Sequence, residues 1–93
     1  MTVDVLGDIM TLNILFLPGD GIGPEVMHEA KRVLEWLRDH KGLQLTITED
    51  LIGGAAIDAH GVPLTEMVIA KAKAADAVFL GAVGGPKWAN VAY

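Results

Sequence analysis

Asn13-Ile14-Leu15-Phe16-Leu17-Pro18-Gly19-Asp20-Gly21-Ile22-Gly23-Pro24-Glu25 is an apolar run cut short by prolines and glycines. The run reads as a buried strand, because a short apolar segment bounded by turn formers fits a covered strand. Pro18 to Gly23 reads as a loop opening a helix. Pro24 sits where its missing N–H costs nothing, and Glu25 puts negative charge in the first turn.

A strand, a glycine-rich loop and a helix in that order invite a dinucleotide reading, in which backbone amides approach a pyrophosphate at the helix N-terminus. The spacing departs from that fingerprint. Pro24 stands where the third glycine belongs and offers no N–H, and Asp20 would repel a nearby phosphate. A tight turn feeding a capped helix and a ligand role for these residues both stay open at this point.

Moving outward, Val26, Ala30, Val33, Leu34 and Leu37 share one helical face, and Lys41-Gly42 supplies the stop. Trp36 lies off that face and reads as a half-buried packing residue. Leu43, Leu45 and Ile47 alternate with Gln44, Thr46 and Thr48, the pattern of a strand with one wetter face, near a sheet edge. The stretch from Leu51 to Pro63 contains Gly53, Gly54 and Gly61. It reads as an irregular connection with a helical turn around Ala55 to Ala59. Thr65 caps a second helix, with Glu66 in its first turn and Val68, Ile69, Ala72 and Ala75 facing inward. Ala77-Val78-Phe79-Leu80 is a third strand that stops at Gly81.

This alternation predicts an α/β fold with a parallel sheet and functional loops at the strand C-termini. A Gly/Pro loop precedes Tyr93, with no helix behind it to cover the sheet. Residues 12–93 therefore read as the N-terminal part of a truncated domain. Residues 1–11 read as a leader without periodic pattern, and Met10 is the expected initiator.

Composition bounds the function. Of 93 residues 52% are hydrophobic, which excludes disorder, and the formal charge of -5 argues against nucleic acid or an anionic membrane as partner. Absence of cysteine removes thiol catalysis and fits a reducing compartment. No apolar run approaches the ~18 residues that span a bilayer, and the start lacks a basic signal region, so a cytoplasmic protein is expected. His28, His40 and His60 have no metal-ligand spacing and read as surface or cap residues. Asp58 reads as an Asx turn. Trp88, after Lys87, either plugs the loop onto the core or closes over a planar or phosphorylated ligand.

Three blocks together carry a family resemblance. Ile14 to Val26, Gly53-Gly54-Ala55-Ala56-Ile57-Asp58, and Asp76 to Trp88 resemble the isopropylmalate branch of the isocitrate/isopropylmalate dehydrogenase family, in its order and spacing. The first block alone would also admit isocitrate, homoisocitrate and tartrate dehydrogenases. The resemblance implies a partial parallel-sheet α/β domain of that fold rather than a Rossmann domain. It implies an NAD-linked oxidative decarboxylation of 3-isopropylmalate to 2-oxoisocaproate in leucine biosynthesis, by a cytoplasmic homodimer using Mg²⁺ or Mn²⁺. The family's catalytic residues and metal ligands lie beyond Tyr93, so no catalytic or metal residue is assigned here. Residues of the NAD site carry over as Gly85, Pro86, Lys87, Trp88, Ala89, Asn90, Val91, Ala92 and Tyr93 at the nicotinamide end, and Ile22 on the adenine side. Ala89 departs from the acidic residue usual after the tryptophan. The rival reading is a non-enzymatic remnant. An independent nucleotide-binding module is disfavoured by Pro24.

Overall fold

The computed structural model describes residues 11–85. The expected leader apart from Thr11, the expected initiator Met10, and Pro86 to Tyr93 lie outside the described residues. Strands β1 (Leu12–Gly19), β2 (Leu45–Glu49) and β3 (Ala77–Ala82) form one parallel sheet in the order β2-β1-β3. Between them run α1 (Gly23–Lys41), α2 (Gly54–His60) and α3 (Glu66–Ala74).

The apolar run takes the central place because Ile14, Leu15, Phe16 and Leu17 are all buried, which requires cover on both faces. Alternate side chains point to opposite sides. Ile14 and Phe16 pack with Met27 of α1, and Leu15 and Leu17 pack with Val68 of α3. Parallel register sets Phe16 beside Phe79, and their rings stack at 5.2 Å. The chain steps from β1 to one side for β2, then back past β1 for β3. With crossovers of one hand, that reversal places α1 and α3 on opposite faces.

The expected elements form, with local differences. Pro24 lies in the first turn of α1, and Gly42 closes it in the left-handed region at φ 71°. Thr65 caps α3 through its hydroxyl, which accepts the Val68 N–H at 3.2 Å. β2 begins at Leu45 and is an edge strand, as its wetter face suggested. The helical turn after Gly53 is a defined helix, α2, and β3 runs on through Gly81 to Ala82.

The inward face of α1 differs from the expected one. Val26 and Val33 are exposed, whereas Met27 is buried with Ala30 and Leu34 half-buried beside it. Apolar pairs at 26/27 and 33/34 leave two faces available to the pattern, and Gly23 selects between them. A Cβ there would collide with the Pro18 carbonyl oxygen, so α1 begins backbone against backbone and Met27 comes one turn later over Gly81. Ile69, expected inward on α3, lies at the surface for a similar reason: Val68 fills the contact with β1. No helix among the described residues is long and apolar enough to cross a membrane.

Candidate functional site at the carboxyl ends of the strands

β1 and β3 are parallel neighbours, so the loops at their carboxyl ends lie side by side, where an open α/β sheet places its functional residues. Asp20 sits there. It is the buried charged residue of the described chain, at 9% exposure. Its Oδ2 accepts the N–H groups of Gly54 at 2.8 Å and Gly84 at 3.0 Å, and its Oδ1 accepts that of Ala55 at 2.8 Å. Its backbone is pinned as well: the Asp20 N–H donates to Ala82 at 2.7 Å, and the Asp20 carbonyl accepts from Gly23 at 2.8 Å.

One carboxylate therefore ties together the β1–α1 loop, the start of α2 and the exit of β3. The N-cap of α2 is Gly53, which has no side chain, so Asp20 serves the orphan amides from a distance in sequence. Burial pushes the Asp20 carboxyl up, but the hydrogen bonds from Gly54, Gly84 and Ala55 outweigh it and hold the group below the usual aspartate range. No cation among the described residues pairs with it. Amide dipoles replace its lost water, as a buried charge requires.

A second acid marks the exit of β2. Asp50 receives Lys71 Nζ at 2.7 Å and the Leu51 N–H at 2.8 Å. The lysine hydrogen bond, helped by that N–H, keeps its carboxyl below the ordinary range. Glu49 and Asp50 flank an open cleft of about 420 Å³ whose opposite wall is Pro18, Gly19 and Pro24. Among the described residues no group of three His, Cys, Asp or Glu is placed to hold a metal ion.

Of the residues carried over for NAD, Ile22 and Gly85 are described, and Pro86, Lys87, Trp88, Ala89, Asn90, Val91, Ala92 and Tyr93 lie outside. Ile22 is the N-cap of α1 and is 62% exposed, an apolar side chain held out from an anchored loop. Gly85 comes after Gly84 and stands at φ 140°. The two residues flank the Asp20 clamp, one on each strand exit. The fit to a dinucleotide is one-sided. Ile22 offers a face to a planar ring, but the amides of Gly54, Ala55 and Gly84 are already taken by a carboxylate and are closed to a pyrophosphate.

From sequence, Asp20 reads only as a group that repels phosphate. A signal for its role is nonetheless present: a lone acid between glycines after the first strand, with Gly53-Gly54 and Gly84-Gly85 after the other two. Trp36, expected as a packing residue, is half-exposed and stacks on His40 at 4.8 Å.

The strand order and the clamped strand exits define an open parallel α/β protein. Its class is narrowed by comparison with known proteins: residues 13–93 match the isocitrate/isopropylmalate dehydrogenase family, and the chain belongs to it. It is 59% identical over 76 residues to a 3-isopropylmalate dehydrogenase of Ruegeria pomeroyi, covering 82% of this chain and 21% of that protein. It is 58% identical over 82 residues to one from Pseudomonas fluorescens, covering 88% and 23%. The crystal structure of isocitrate dehydrogenase from Methylococcus capsulatus superposes with a TM-score of 0.73 at 29% identity, over 88% of this chain and 22% of that one. The chain thus spans between a fifth and a quarter of the length of these relatives. The fold is that of this family, as the resemblance implied.

Proposed function

We propose that this chain is the N-terminal part of a 3-isopropylmalate dehydrogenase, an NAD-dependent oxidoreductase of leucine biosynthesis that converts 3-isopropylmalate to 2-oxoisocaproate. The observation that carries the reading is the 58% identity with the Pseudomonas fluorescens enzyme, against 29% with the isocitrate dehydrogenase structure. A divalent cation, Mg²⁺ or Mn²⁺, would supply electrophilic catalysis in the whole enzyme, with ligands outside this segment. The whole enzyme is read as a cytoplasmic homodimer.

This chain's own part lies on the cofactor side. Ile22 presents an apolar face suited to adenine, and Gly85 through Tyr93 lead toward the nicotinamide. With its amides engaged by Asp20, the loop leaves the pyrophosphate to residues elsewhere. None of the described residues is assigned to proton transfer, so the chain alone is expected to give no isopropylmalate-dependent NAD reduction. Orienting a cofactor without the electrophile does not lower the barrier to hydride transfer.

The test is steady-state kinetics of the family-length enzyme carrying this segment, with 3-isopropylmalate, isocitrate, homoisocitrate and tartrate as competing substrates. A preference for any of the last three overturns the substrate assignment. In the same enzyme Lys87→Ala and Trp88→Ala are each expected to raise KM for NAD roughly tenfold, about 1.4 kcal/mol, with the Mg²⁺ requirement unmoved. Unchanged NAD dependence in both variants would return that loop to a structural role.

A further inference from the structure

We propose that the outer stripe of α1 is a self-association surface whose occupant is a second copy of this chain, laid antiparallel across it with the two-fold axis beside Lys31. The inference uses neither the NAD nor the substrate reading above, and it names a contact surface where the homodimer reading names none.

Ile22, Val26, Glu29, Val33, Trp36 and His40 are all exposed. They follow one another at alternating intervals of four and three residues, which is the spacing of a coiled-coil seam. At 100° per residue the seam lies roughly 110° around α1 from Met27, Ala30 and Leu34, so packing on the sheet leaves it bare. Ile22, Val26, Val33 and Trp36 make it apolar. Near its middle, Glu29, Arg32, Val33 and Trp36 line an open cleft of about 340 Å³. Those four stand at i, i+3, i+4 and i+7, the corners of the hole into which a neighbouring helix sets one side chain.

A second copy fits because the spacing reads the same in both directions about Lys31. An antiparallel copy sets Val26 against the partner's Trp36 and Glu29 against the partner's Val33, and two-fold symmetry makes each pair twice. The charges agree with this direction. In the single chain Arg32 holds its own Glu29 at 2.9 Å. In the pair, the partner's Glu29 enters the cleft beside Arg32, so two acids and two bases close a neutral cluster across the axis. At the ends, Glu25 in the first turn comes beside the last turn of the partner, which carries Arg38, His40 and Lys41. The acid of that turn, Asp39, is already engaged by Arg38 Nε at 3.4 Å. The helix dipoles oppose each other as well. A parallel copy would instead set Glu29 on the partner's Glu29 within the seam and align the dipoles.

The sequence contains no cysteine, so introduced cysteines report the register directly. A disulfide cannot bridge Cα atoms more than about 7 Å apart. In the antiparallel pair Val26→Cys of one chain faces Trp36→Cys of the other, whereas two copies of either variant are offset by about 15 Å along the helix, at 1.5 Å per residue. An equimolar mixture of the two 93-residue variants, oxidised in native buffer, should give the mixed disulfide at least tenfold over either homodisulfide. In concentrated urea the products should return to the proportions of random collision. The second measurement is sedimentation equilibrium in the Leu80→Lys background, which silences the free edge of β3. That chain should show a monomer–dimer equilibrium, and adding Val33→Glu, which faces the partner's Glu29, should weaken it at least tenfold. Val33 is exposed, so this change leaves the fold intact. Homodisulfides that match or exceed the mixed product, as parallel pairing would give, overturn the proposal. So does a Leu80→Lys chain that stays monomeric, or one whose dimer is indifferent to Val33→Glu.

Discussion

Asp20→Asn removes the charge and keeps one acceptor oxygen, so whichever way its amide turns, at least one of the N–H groups of Gly54, Ala55 and Gly84 faces a donor. Leaving a buried donor unpaired costs about 1–3 kcal/mol, so the variant should lose stability of that order at neutral pH. The pH dependence is set by the direction of the Asp20 shift. Its carboxyl titrates lower in the folded chain than in the unfolded one, so the unfolded state binds the extra proton as pH falls through the aspartate range. The stabilisation is complete above the unfolded value and is lost as pH drops through the folded one. Asp50 contributes in the same direction through Lys71. Urea denaturation across the acid range should therefore show a steep decline for the wild type and a shallower one for Asp20→Asn. Equal slopes would mean that Asp20 does not couple protonation to folding.

Among the elements, α1 gives the sharpest discrimination between two packings. The structure turns Met27 inward and Val33 outward, so Met27→Ala should cost about 2–5 kcal/mol while Val33→Ala stays within about 0.5 kcal/mol. Thermal or urea unfolding of the pair distinguishes this register from its rotated alternative. The same helix marks where the sequence could be read and where it could not. Pro24, Glu25 and Gly42 announce its ends through local chemistry, and Thr65 does the same for α3. The rotation of α1 about its axis depends on the contact of Gly23 with Pro18, which no periodicity in the helix contains. β1 was legible because four consecutive buried residues fit little else. The length of β3 was not, because Gly81 looks like a terminator, yet its bare backbone is what lets Met27 approach. At the candidate site, Ile22 and Gly85 are assigned through resemblance alone. The clamp joining them was missed because it spans 64 residues of sequence.

At the scale of the whole molecule, the two faces of the sheet are covered unequally. α1 lies over its face, but on the α3 side Val78 and Leu80 of β3 are 42% and 55% exposed, next to a strand edge that pairs with nothing among the described residues. An exposed apolar edge is a template for association. The chain is expected to self-associate as its concentration rises, and Leu80→Lys should suppress this without changing the far-ultraviolet dichroism. Sedimentation velocity over a concentration series is the measurement, and identical profiles for the two proteins would absolve that edge. The order in which the pieces become available also matters. β1, α1 and β2 can close their crossover early, whereas Gly84 emerges 64 residues after Asp20. At about 5–20 residues per second of synthesis, that leaves the carboxylate waiting roughly 3–13 s for its last partner. Until then it keeps its water, and the nascent strand pair carries a hydrated charge at the tip where the third strand must dock. Docking of β3 is thus the event that expels that water, so a ribosome pausing before Gly84 would lengthen the life of an unlatched intermediate.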